Sequence, residues 1–65
     1  MHALERDYLR QLYQQACYGA GAEPRWEARH LIQKFLNQNE ITLREALENA
    51  GLDMKFYLAS RPIRS

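Results

Sequence analysis

The chain has 65 residues, 46% of them hydrophobic and 26% charged, with a formal net charge of +1. That length makes one domain with a modest core, marginal unless stapled, metallated or oligomerised, and without the walls that keep water out of a catalytic cleft. The balanced charge argues against a strongly basic nucleic-acid binder and against an acidic mimic of DNA.

A lone cysteine, Cys17, excludes an internal disulfide framework, and no Cys/His spacing suggests structural zinc. Met1-His2-Ala3 runs straight into Glu5, Arg6 and Asp7, so no signal peptide is expected. No apolar run approaches the roughly 20 residues that cross a bilayer, and a cytoplasmic protein without membrane contact is the expectation.

At 100° per residue, a first helix from about Ala3 to Tyr18 gathers Leu4, Tyr8, Leu9, Leu12, Tyr13 and Ala16 on one half of its cylinder. Arg6, Asp7, Arg10 and Gln14 fall on the other half, and Gly19-Ala20-Gly21 ends the helix. Pro24 suits a first helical position, because its missing N–H would have had no partner there. A second helix from about Pro24 to Gln38 then carries Ala28, Leu31, Ile32 and Phe35 on one face, with Leu36 at its margin.

Thr42 and Glu45 have the spacing of a capping box, and Ile41 is placed as a staple outside it. Leu43, Ala46, Leu47 and Ala50 make a short amphipathic third helix, stopped by Gly51. Asp53 is a good N-cap for a fourth helix in which Met54, Tyr57 and Leu58 share a face. Pro62 disfavours helical geometry at Arg61, so the helix is short and a flexible tail follows from about residue 62. The fold expected over residues 1–65 is a single all-α domain, a compact bundle of four short helices.

The run Leu43, Ala46, Leu47, Ala50, Gly51, Leu52, Asp53 resembles the helix-turn-helix family, in which Gly-hydrophobic-polar joins two helices. That family places a large residue and then alanine before the glycine; here Ala46 precedes Leu47. The resemblance implies a dimeric DNA-binding regulator whose last helix is the reading element, with Lys55, Ser60, Arg61 and Arg64 as its nucleic-acid contacts. A helix entering the major groove offers Arg, Lys, Asn or Gln from its first turns, and Met54-Lys55-Phe56 supplies only Lys55. Glu45 and Glu48 on the preceding helix would repel phosphates.

Trp26 lies nearly opposite the Ala28/Leu31/Phe35 stripe, beside His30, Gln33 and Lys34. It either folds under the loop before it or anchors a partner together with Arg25, Arg29 and His30, since tryptophan covers a large area with few rotatable bonds. Phe56 lies off the Met54/Tyr57/Leu58 face, and Tyr13 and Tyr18 sit at the edge of the first helix's stripe. Together these aromatics exceed what four short helices can hide, and the surplus is expected to be an interface with a larger protein or a second copy.

Catalysis is not expected. Cys17 beside the apolar stripe reads as a small core residue, Gly19-Ala20-Gly21 lacks the lysine and hydroxyl of a phosphate loop, and the acids are spaced as helix-surface charges. No cofactor, metal or small-molecule substrate is implied. The function expected from sequence is therefore that of a small regulatory or inhibitory protein docking on a larger one, as phage or other accessory proteins do. Its contact residues would be Trp26, Arg29, His30 and Phe56, with Tyr13 and Tyr18 contributing.

Overall fold

A computed structural model describes residues 3–62 and shows four helices with no strand among them. They are α1 (Ala3–Tyr18), α2 (Ala22–Asn39), α3 (Leu43–Ala50) and α4 (Met54–Ala59). The extents are 35 × 20 × 17 Å. No helix among the described residues is long and apolar enough to cross a membrane.

The first, third and fourth helices start where their local signals place them. Thr42 Oγ1 accepts from the Glu45 N–H at 3.2 Å, and Asp53 Oδ1 accepts from the Lys55 N–H at 2.9 Å. The glutamate half of the capping box differs from expectation: Glu45 Oε1 accepts from the Thr42 hydroxyl at 3.4 Å instead of from the cap's backbone N–H. Gly51 sits in left-handed geometry at φ 71°. Behind it the Gly51 N–H reaches Glu48 O and the Leu52 N–H reaches Leu47 O, the paired bonds of a Schellman stop.

α2 corrects the sequence reading at both ends. It begins at Ala22, two residues ahead of Pro24, because the first N–H groups of a helix have no intrahelical acceptor and proline is tolerated throughout that turn. It ends at Asn39, followed by Glu40 in the left-handed region at φ 53°. The Ile41 N–H then bonds Leu36 O, so this stop repeats the one at Gly51 with a side chain present.

α1 and α2 form an antiparallel hairpin: Arg25 reaches the carbonyl of Ala16 at one end, and Tyr8 meets Phe35 at 5.9 Å toward the other. Gly19 makes the joint tight. A Cβ there would lie 2.5 Å from Gln15 O and 2.9 Å from Arg25 Cγ, so only glycine lets the strut from Arg25 pass. α3 and α4 pack against α1, with Ala16, Ala46, Leu47 and Ala50 fully enclosed. Leu9, Ile32 and Leu47 are the largest fully buried side chains, each contributing roughly 1.5–3 kcal/mol relative to exposure.

The apolar faces are rotated from the expected ones. Leu4 is 81% exposed and Tyr8 also lies open, so the first turns of α1 overhang the core. On α2, Leu36 is buried and Leu31 exposed, while Arg29 takes an enclosed position. Cys17 is buried, as its place beside the stripe suggested, and burial pushes its thiol pKa up.

Candidate binding cleft

α2 and α4 do not approach each other closely through their backbones; arginine side chains bridge them. Arg25 donates through Nη2 to Ser60 O at the end of α4, and Arg29 donates through Nη2 to Tyr57 O at 2.8 Å. The spacing leaves a cleft of about 280 Å³. Trp26, Arg29, His30 and Gln33 line it from α2 at helical intervals, with Leu43 from α3 and Tyr57, Leu58 and Arg61 from α4 and the residues after it.

Arg29 is the unusual residue of this site. It is 8% exposed, and its guanidinium carbon lies 4.3 Å from the centroid of the Tyr57 ring. Its Nε has no hydrogen-bond partner among the described residues. A buried cation is stabilised here by a carbonyl dipole and the negative face of an aromatic ring, both uncharged. Burial raises the pKa of the Tyr57 hydroxyl, and the Arg29 charge pulls it the other way.

The structure separates the aromatic residues singled out by sequence. Trp26, partly buried, shares the cleft with Arg29 and His30. Phe56 and Tyr18 lie elsewhere, their rings 5.4 Å apart beside the end of α1, with Tyr18 66% and Phe56 37% exposed. Tyr13 is enclosed: its ring stacks on Tyr57 at 5.8 Å and its hydroxyl donates to Asp53 O at 2.9 Å. It therefore ties α1 to α4 and leaves only a small part of its surface open, in a hollow shared with Tyr18.

The residues of the nucleic-acid reading are also dispersed. Lys55 is exposed on the first turn of α4, in a hollow that also holds Glu48 and Asp53. Ser60 ends the helix, with its carbonyl taken by Arg25, and Arg61 faces the cleft. Arg64 lies outside the described residues. No group of three or more His, Cys, Asp or Glu side chains among the described residues is placed to hold a metal ion.

Sequence reading missed the buried role of Arg29 and the part played by Tyr57 and Leu43. A signal for the first was present, since Arg29 precedes Ile32 by three and Leu36 by seven residues and so shares their face. No protein-family model matches this chain, and no curated protein or solved structure matches it significantly.

Proposed function

We propose that this chain is a small non-catalytic regulatory protein that docks on a larger protein through the cleft between α2 and α4. The observation that carries the reading is the convergence there of a large aromatic, Trp26, with a buried arginine and two further basic-edge side chains, His30 and Arg61. Aromatic and arginine side chains are the types that dominate binding energy at protein interfaces. The exposed Tyr18/Phe56 pair forms a second apolar patch on the other flank of α4 and extends the contact area.

The second reading, a dimeric helix-turn-helix regulator, is favoured by the Gly51 stop and the exposed Lys55 that follows it. Against it stands the length of α4, six residues, which at 1.5 Å per residue is about 9 Å and reaches few base edges. Arg10, Arg25 and Arg29 are moreover engaged with backbone carbonyls, which thins the cationic surface left for phosphates.

Affinity capture from nuclease-treated extract of the source cell tests the two together, using the intact chain and a His30→Glu variant at an exposed cleft position. The expected result is one protein retained at high salt by the parent and lost with the variant, whose melting temperature is unchanged. Capture indifferent to His30, or retention of DNA with a steep salt dependence, overturns the reading.

A further inference from the structure

The cleft holds a charge that the described residues of its walls leave unbalanced. Among the described residues Nη2 of Arg29 donates to a neutral acceptor, the Tyr57 carbonyl, while its Nε has no hydrogen-bond partner. Arg61 adds to the same sign, and among the described residues no aspartate or glutamate lines the cleft. Its floor is apolar where Ile32, Leu36 and Leu43 meet it. A guanidinium enclosed in this way interacts with an incoming anion through a lower dielectric than a surface lysine would. A hydrogen bond from such a guanidinium to a carboxylate is charge-assisted and stronger than one to a neutral acceptor.

We propose that the cleft is a recognition pocket for an acidic side chain of the partner protein, an aspartate or glutamate flanked by a large aliphatic residue. The inference rests on the docking reading above and specifies its chemistry. The carboxylate pairs with Arg29 and is steered by Arg61, while the neighbouring aliphatic group covers Leu43 and Leu58. At about 280 Å³ the cleft lies at the lower edge of the roughly 300–1,000 Å³ that encloses a whole small ligand. It suits one or two side chains presented by a larger molecule. A phosphate group is the poorer match, because it would gain nothing from the apolar floor.

Trp26 is the only tryptophan and lines the cleft, so its emission reports occupancy directly. The probe is a displayed library of random twelve-residue peptides, selected on the immobilised full chain. Enriched peptides are then synthesised in parent form and with each acid replaced by its amide. The expected result is enrichment of an acid next to leucine or isoleucine and a saturable shift of Trp26 emission. Affinity should fall by about 30-fold or more for the amide form, as when one member of a buried charge pair is removed. Arg61→Gln at the rim should slow association a few-fold and flatten the salt dependence. Because the peptide is altered and not the protein, the main measurement does not depend on an Arg29 variant folding.

Equal binding of acid and amide forms overturns the proposal, as does displacement by inorganic phosphate as effective as the peptide itself. Enriched peptides that lack acids and seat on Tyr18 and Phe56 overturn it too, while leaving the wider docking reading standing. Loss of His30 dependence in the capture experiment removes that wider reading instead, so the two failures are distinguishable.

Discussion

Glu40 and Gly51 occupy the same left-handed backbone region, at φ 53° and φ 71°, after the last residues of α2 and α3. Both close a Schellman stop, with N–H groups of the stop and the following residue satisfying carbonyls of the last turn. The left-handed region brings a Cβ against the carbonyl oxygen, at a cost of about 1–2 kcal/mol that glycine escapes. Gly51→Ala is therefore expected to lower unfolding free energy by about 1–2 kcal/mol. Space is not the cause, since an added Cβ would meet only Arg10 Nη2 at 3.8 Å. Glu40→Gly is expected to act in the opposite direction, raising stability by about 0.5–1 kcal/mol after the entropy glycine adds to the unfolded chain. Urea unfolding of the two variants checks both signs. Destabilisation by Glu40→Gly would mean that the exposed glutamate side chain contributes more than its backbone strain costs.

None of the four helices carries a basic residue in its last turn, where a cation would suit the negative end of the helix dipole. Arginines from other helices take that part. Arg10 donates through Nε and Nη2 to Ala50 O at the end of α3, at 3.0 and 2.9 Å, and Arg25 donates to Ala16 O in the last turn of α1 and to Ser60 O after α4. Long stems cover apolar surface while the heads satisfy orphan carbonyls, which suits a bundle with little core to spare. Arg10→Met keeps the stem and loses both bonds, and should cost about 1 kcal/mol in urea unfolding. Arg6→Met, one exposed turn earlier, should change stability by less than about 0.5 kcal/mol. Equal effects of the two would remove the capping account. These struts also show why sequence disclosed the elements better than the site. Thr42, Gly51 and Asp53 act on neighbours within three residues, so the limits of α3 and the start of α4 could be read locally. The partners of Arg10 and Arg29 lie 40 and 28 residues away, and nothing near either arginine announces a distant carbonyl. The rotation of α2 that buries Arg29 and exposes Leu31 follows from such contacts, and so does the cleft they span.

At the scale of the whole molecule, α4 is held to α1 through a cluster of weak acids. Tyr13 stacks on Tyr57, its hydroxyl bonds Asp53 O, and Cys17 lies close enough to both phenols for its charge to raise their pKa values. Burial is the largest cause of upward shifts in all three, from 10.0 for the phenols and 9.0 for the thiol. Each group binds its proton more tightly in the folded chain than in the unfolded one, so unfolding releases protons once the pH passes the unfolded values. Their contribution is then fully present below pH 9.0 and is lost as pH rises through the higher folded values. Thermal melting followed by helical circular dichroism should accordingly hold steady from neutral pH to about 9 and decline above it. Tyrosine ionisation should appear together with loss of helix, because a phenolate at Tyr13 cannot donate to Asp53 O. Cys17→Ala removes the first of the three titrations and should shift the onset of the decline toward pH 10.0, the ordinary phenol value. A melting temperature that stays level well past that value, or tyrosines that ionise while the helices remain intact, would show that α4 does not depend on this buried cluster keeping its protons.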